Sequence, residues 1–334
     1  MINWGIIGLG RIAHKFAQDL AILEDAHLQA VASRSLERAK AFADQYNVPN
    51  YFGSYEEIMN CRELDVIYIA NPHAWHYEAA LMCLENGIAV LCEKPFALNR
   101  QQVQHLVDTA RRTDTFLMEG MWTRFLPHLK KALELIEAGE IGEVQAVHGT
   151  MGFEMPFEPE GRLYNPHLGG GALLDLGVYP VFFALLLLGK PNEINATSHI
   201  GTTGVDEETN ATFWYENGKK AEIRACMRED LVSDACIYGD QGHIHIHPKW
   251  NEPNKLTLHR NGVAPKDFEF DLQGHGYYFE AREVMDCVLN DQKESKILPL
   301  DFSLEVMETL DRIRQQIGLT YPQEEVAAID AKKF

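Results

Sequence analysis

The first third of the chain alternates short continuous apolar runs with amphipathic stretches, and this rhythm constrains the fold more than any other feature. Residues 4–7, 28–32, 65–70, 88–92 and 115–118 read as strands. The stretches 12–23, 36–46, 77–86 and 99–112 read as the helices between them. Strands that are apolar on both faces and separated by helices build a parallel sheet covered on both sides. Such a sheet takes its ligand at the carboxyl ends of its strands.

After about Met121 the rhythm changes. A helix is expected over 127–138, a strand over 144–150, and a Gly/Pro-rich loop over 156–171. Alternating runs at 211–215, 221–225 and 255–259 then read as strands, joined by turn signals at Glu216-Asn217-Gly218 and Arg260-Asn261-Gly262. Helices return over 277–290 and 303–317. The expected fold class is α/β, with a doubly wound parallel sheet over residues 1–121 and an α+β domain on a large open mixed or antiparallel sheet over 122–334.

Gly8-Leu9-Gly10-Arg11-Ile12-Ala13 stands between the first strand and the first helix. In this setting Gly8 permits the tight turn, Gly10 lets the backbone approach a pyrophosphate, and Ala13 allows close helix packing, the pattern of a Rossmann dinucleotide site. Arg11 and Ile12 open the helix there. The end of the second strand reads Ser33-Arg34-Ser35, with Arg38 one turn later. An acid roughly 20 residues past the glycines would bind a ribose 2′-hydroxyl; a hydroxyl and a guanidinium suit a 2′-phosphate instead. NADP is expected, with NAD as the alternative.

Asn71-Pro72-His73-Ala74-Trp75-His76 and Glu93-Lys94-Pro95 follow the next two strands, at the ligand-binding edge. Asn71, Pro72, His73, His76, Glu93 and Lys94 are candidate cofactor contacts. Lys94 between an acid and a proline points its ammonium into the crevice. Trp122, Arg124 and Phe125 follow the last strand and are expected to line the substrate cleft, Trp122 also meeting the cofactor. Arg162 and Asn165, in the loop before Gly169-Gly170-Gly171, are candidates for cofactor and substrate respectively.

Together the Gly8–Ala13 turn, Glu93-Lys94-Pro95 and the later Gly169-Gly170-Gly171-Ala172-Leu173-Leu174-Asp175-Leu176-Gly177-Val178-Tyr179 resemble the motifs of the Gfo/Idh/MocA superfamily of NAD(P)-dependent oxidoreductases. That superfamily usually has His where this chain has Tyr179. With Met118-Glu119-Gly120-Met121-Trp122-Thr123-Arg124-Phe125, the tyrosine makes the chain similar to the dimeric dihydrodiol dehydrogenases, whose relatives include xylose dehydrogenases. The resemblance implies a homodimer through the C-terminal sheet and a small polyol or dihydrodiol substrate.

Alcohol oxidation needs a base at the hydroxyl. Tyr179 is the candidate acid/base. A free phenol, with a pKa near 10, needs a cation beside it, and Lys94 can supply one. Asp175, four residues before Tyr179, could anchor Lys94 or a substrate hydroxyl. Two alternatives stand beside this reading: a sugar or inositol dehydrogenase with another polyol substrate, and a catalytically silent nucleotide sensor.

Composition narrows the partners. Thirty Lys and Arg against 49 Asp and Glu give a net charge of −19, which disfavours nucleic acid and anionic membranes. The apolar run 178–188 is shorter than the roughly 20 residues of a bilayer span. Met1-Ile2-Asn3-Trp4-Gly5 lacks the features of a signal peptide, and six dispersed cysteines suggest neither a disulfide frame nor a zinc motif. A cytoplasmic protein is expected. His243, His245 and His247 alternate on one strand face. No acid or cysteine stands among them in the sequence, so no metal is expected.

Overall fold

The computed structural model describes residues 1–252 and 255–324. The chain divides into two compact units, Met1–Phe125 with Leu272–Leu304, and Leu126–Asp271 with the segment from Glu305 onward. The first unit runs β1 (Ile2–Ile7), α1 (Arg11–Leu20), β2 (Ala26–Ala32), α2 (Leu36–Tyr46), β3 (Asn50–Phe52), β4 (Val66–Ile69), α3 (His76–Glu85), β5 (Ala89–Glu93), α4 (Arg100–Thr113) and β6 (Leu117–Gly120). Its six strands are parallel in the order β3-β2-β1-β4-β5-β6. This is the doubly wound arrangement read from the sequence. The order reverses between β1 and β4, which opens a crevice at their carboxyl ends.

The apolar runs explain the sheet. Ile6, Ile7, Ile67, Tyr68, Val90 and Leu91 are fully buried, as strands covered on both faces must be. Local chemistry sets the helix ends: the Ser35 hydroxyl accepts from Arg38 N at 3.3 Å and Asn99 Oδ1 from Gln102 N at 2.9 Å. At the other ends, Asn47 and Asp114 take left-handed conformations that stop α2 and α4.

The second unit contains α5 (Pro127–Glu137), β7 (Val144–Gly152), α6 (Val178–Leu188), β8 (Glu193–Ile200), β9 (Asp206–Trp214), β10 (Lys220–Cys226), β11 (Ala235–Gly239), β12 (Gly242–Ile246), β13 (Leu256–Arg260) and β14 (Val263–Phe268). Its eight strands lie in the order β14-β13-β12-β11-β7-β10-β9-β8, antiparallel except for the β7–β10 pair. The helical stretch Pro166–Leu188 is long and apolar enough by composition to cross a membrane, longer than the run seen in the sequence, but 78% of its apolar window is buried inside the fold. It is a core helix: Val181, Phe182, Phe183 and Ala184 are fully buried beside β7 and β10.

The expected division at 121/122 differs from the observed one. The helix α7 (Tyr277–Leu289) belongs to the first unit, and the second boundary falls inside α8 (Leu300–Ile317). The cause is a set of specific anchors on α1 and the turn after it. Buried Asp19 accepts from the backbone N–H of His275 and Tyr277 at 2.8 and 2.7 Å, supplying the helix cap that Gly276 lacks. Arg282 forks onto Asp25 at 2.6 and 2.8 Å. Residues 325–334 of the expected second domain lie outside the described residues.

Strand register also corrects the reading of the histidine strand. An acid and a cysteine do accompany His245: Cys236 of β11 stands opposite it, and Asp234, just before β11, lies beside both.

Candidate functional site

The residues expected to bind the nucleotide follow the carboxyl ends of β1, β2, β4 and β5. Gly8 has φ +88, and a Cβ there would come within 2.4 Å of Asn71 N, so the ends of β1 and β4 can meet only over a glycine. Gly10 caps α1 without a side-chain hydrogen bond, no acid occupies the helix's first turn, and a Cβ would meet nothing within 4 Å. An open space before a helix N-terminus whose N–H groups have no side-chain cap fits an anionic pyrophosphate. Asn71 adds a buried Oδ1 without a hydrogen-bond partner at the same edge. Arg11 is exposed and Ile12 half-buried at the helix start. These residues fit a dinucleotide.

At the end of β2, Ser33 is buried while Arg34 and Arg38 are exposed. Arg34 reaches the Tyr55 phenol, a neighbour that the sequence did not disclose.

His76 is buried, with Nδ1 2.8 Å from Pro95 O and Nε2 2.9 Å from Asn71 O. Both ring nitrogens are thus engaged by main chain, so this expected cofactor contact ties the two loops that follow β4 and β5. His73 is buried next to it, with ring centroids 6.3 Å apart, and Pro72 is half-buried. Lys94 is half-buried, and its bond to Pro95 is cis.

Below Lys94 lies a group of acids. The Tyr68 hydroxyl donates to Glu93, Glu119 accepts from Phe96 N at 3.2 Å, and Glu280 is fully buried with neither carboxyl oxygen hydrogen-bonded. Burial pushes Glu119 up to about 7, and burial with the charges of Glu93 and Asp19 pushes Glu280 far above the usual carboxylate range. Trp122 stacks on Tyr277 at 4.6 Å, Arg124 Nε donates to Ile297 O at 3.1 Å, and Phe125 is half-buried.

In the second unit, a π-helical turn (Leu173–Gly177) carries Asp175 and runs into α6, which carries Tyr179. Such turns are common where a side chain must be re-aimed. Tyr179 is 6% exposed, its ring edge-on to Trp250. Asp175, expected to anchor Lys94 or a substrate hydroxyl, pairs with Arg162 at 2.6 Å. Asn165 caps the short turn Pro166–Leu168 by accepting from His167 N at 2.9 Å.

The three glycines also have a packing reason. A Cβ at Gly170 would lie 2.6 Å from Leu163 O, and one at Gly171, where φ is +129, would lie 2.3 Å from Asp206 Oδ1. Asp206, which sequence reasoning missed, is fully buried and accepts from Leu173 N at 2.8 Å and Thr209 Oγ1 at 2.7 Å. A lone Asp in a polar strand start gives no sign that it supports a loop more than thirty residues earlier.

Burial pushes the Asp206 carboxyl up to about 7. The folded state therefore favours its proton. The stability linked to that proton is complete below the ordinary Asp range and is lost as pH rises through about 7. Asp206→Asn keeps the acceptor and removes the charge. Denaturant unfolding at pH 5 and pH 8 should show a smaller loss across that interval than in the parent, with the Glu119 share remaining; an unchanged loss would contradict the assignment.

An oxidoreductase family model with an NAD-binding Rossmann fold matches residues 2–121, and the GFO/IDH/MocA C-terminal domain matches residues 129–245. The chain is 37% identical to a trans-1,2-dihydrobenzene-1,2-diol dehydrogenase of Xenopus tropicalis, over 96% of this chain and 99% of that protein. It is 36% identical to the Mus musculus protein of the same name, over 97% and 99%. A solved 3-ketoreductase from Actinomadura kijaniata, in complex with NADP and TDP-benzene, superposes with a TM-score of 0.85 at 25% identity, covering 95% of this chain and 98% of that one. The chain belongs to the Gfo/Idh/MocA family of NAD(P)-binding oxidoreductases and is a dehydrogenase or reductase homologous to the dihydrodiol dehydrogenases.

Proposed function

We propose that this enzyme uses NADP to exchange a hydride with a secondary alcohol of a trans-dihydrodiol or a sugar. The end of β2 carries the cofactor half of the reading: Arg34 and Arg38 are exposed there and no acid stands at Ser33-Arg34-Ser35. An acid would repel a 2′-phosphate, whereas a guanidinium binds one bidentately. The names of the full-length relatives support the diol. Another polyol, such as an aldose or inositol, is the alternative substrate.

When bound, the nicotinamide supplies the hydride acceptor for oxidation or the donor for reduction. The chain's residues have the remaining tasks. The backbone from Gly8 through Ile12 holds the pyrophosphate, with Arg11 at its rim, while Ser33, Arg34 and Arg38 hold the 2′-phosphate. Asn71, Pro72, His73 and Glu93 border the cofactor, and His76 fixes the loops that carry them. Tyr179 takes the proton of the alcohol during oxidation and returns it during reduction. Lys94 favours the phenolate and holds the substrate oxygen. Asp175 and Arg162, paired with each other, orient the segment that presents Tyr179. Trp122, Arg124, Phe125 and Asn165 contact the substrate.

A homodimer through the open face of the second unit's sheet goes with this reading. Trp214 and Tyr238, 42% and 43% exposed, share that face with Lys220.

Nicotinamide absorbance, followed with NADP or NAD and a panel of trans-dihydrodiols, pentoses, hexoses and inositol, tests the substrate assignment. Turnover of inositol alone would replace the diol by the alternative. Arg34→Ala tests the cofactor assignment. The dissociation constant for NADPH should rise roughly 10–100-fold, the loss of a charge-assisted contact, with NADH binding nearly unchanged. Equal losses would remove Arg34 from the 2′-phosphate.

A further inference from the structure

The histidine strand belongs to no part of the nucleotide or alcohol chemistry, yet its surroundings form a ligand set. Backbone register places His148 of β7, Cys236 of β11, His245 of β12 and Thr257 of β13 directly opposite one another in one row across the open sheet face. Asp234 precedes Cys236 by two residues and so presents its carboxylate to the same face. One donor atom from each of Asp234, Cys236 and His245 lies within 4.8 Å of the other two. His245 Nε2 is already 2.9 Å from Asp234 Oδ2.

We propose that Asp234, Cys236 and His245 bind one zinc ion. Ligands around a tetrahedral zinc stand roughly 3.3–3.7 Å apart, from bond lengths near 2.0–2.3 Å, so donors that lie within 4.8 Å of one another reach that spacing by closing at most about 1.3 Å, within the reach of side-chain rotation. A thiolate, an imidazole and a carboxylate together favour zinc over magnesium or calcium, which take oxygen. Adjacent strands hold Cys236 and His245, and Asp234 immediately precedes β11, its Oδ2 already hydrogen-bonded to His245.

The polar groups around the set are those that orient a metal-binding strand. His247 packs its ring 4.4 Å from that of His245, and its Nε2–H is directed to Thr257 Oγ1 at 2.8 Å, which in turn donates to Asp267 at 2.7 Å. That chain fixes the rings beside the site. The fourth position is left to water or to His148, the next donor in the row. All six cysteines are free thiols, and Cys236 is half-buried rather than sealed in the core.

The test uses the purified full chain, stripped with a chelator and titrated with Co2+ and then Zn2+. One equivalent of Co2+ per chain should produce the intense visible bands of a tetrahedral site and a sulfur-to-cobalt charge-transfer band, and Zn2+ should displace it. Cys236→Ser should abolish the charge-transfer band, and His245→Ala should raise the metal dissociation constant at least tenfold. A band of parental strength in Cys236→Ser, or the absence of any band in the parent, would overturn the site. Alkylation of the parent chain, mapped by mass spectrometry with and without Zn2+, needs no variant. Selective protection of Cys236 supports the proposal, and equal labelling in both conditions refutes it.

Discussion

Tyr179→Phe should lower kcat by 10²–10⁴-fold, the range for removing a general acid/base, while NADPH binds with nearly parental affinity. The substitution deletes one oxygen from a ring that is 6% exposed and rests edge-on against Trp250. Phe keeps that packing, so the loss belongs to the proton and not to the fold. The pH dependence adds a readout that a packing role would not move. In the parent, kcat for oxidation should rise with pH as the phenol ionises under the influence of a cation; in the variant that limb should flatten. Parental turnover in Tyr179→Phe would transfer the proton to another group. Comparison of unfolding midpoints between parent and variant keeps a folding defect from being read as a catalytic one.

Gly8→Ala should be the most damaging small substitution in the first unit. The new Cβ would meet Asn71 N at 2.4 Å, Asn71 Cα at 2.6 Å and Ala70 C at 2.8 Å, all backbone atoms of the adjacent strand end, from a residue with φ +88. Neither the clash nor the left-handed strain can be relieved without separating β1 from β4. A loss of about 3 kcal/mol or more in unfolding free energy follows, together with loss of NADPH binding. Gly10→Ala provides the contrast. Its φ is −88 and its Cβ has no neighbour within 4 Å, so stability should be nearly parental while NADPH affinity falls, because the methyl group enters space reserved for the pyrophosphate. If both variants were equally unstable, or if Gly10→Ala bound NADPH normally, the turn would not have the assigned role.

Legibility in the sequence followed physical range. Five of the six strands of the first sheet were visible because burial on both faces leaves continuous apolar runs, whereas β3, a three-residue edge strand with no fully buried residue, was not read; the Gly8–Ala13 turn was visible because sterics restrict its residues locally. The strand β14 was missed because an exposed edge strand containing Pro265 has no apolar pattern to show. The membership of α7 in the first unit rests on Asp19 and Asp25 reaching residues more than 250 positions away, and an amphipathic helix does not name its partner. Asp206 beneath the glycines and Asp234 with Cys236 beside His245 share that cause. Each depends on strand register, which places residues together only after the sheet has formed. Candidate site residues on local motifs were therefore accessible to sequence reasoning, and the buried groups packed beneath them were not.

The central claim is that the carbinol hydrogen of a secondary alcohol passes to the nicotinamide of NADP. It is tested most directly with a trans-dihydrodiol or aldose deuterated at the reacting carbon, incubated with the enzyme and NADP, followed by mass spectrometry of the NADPH formed. The account predicts one deuterium in the nicotinamide ring of each NADPH. NADPH formed without the label, or no reduction of NADP by any diol or sugar of the panel, would contradict it.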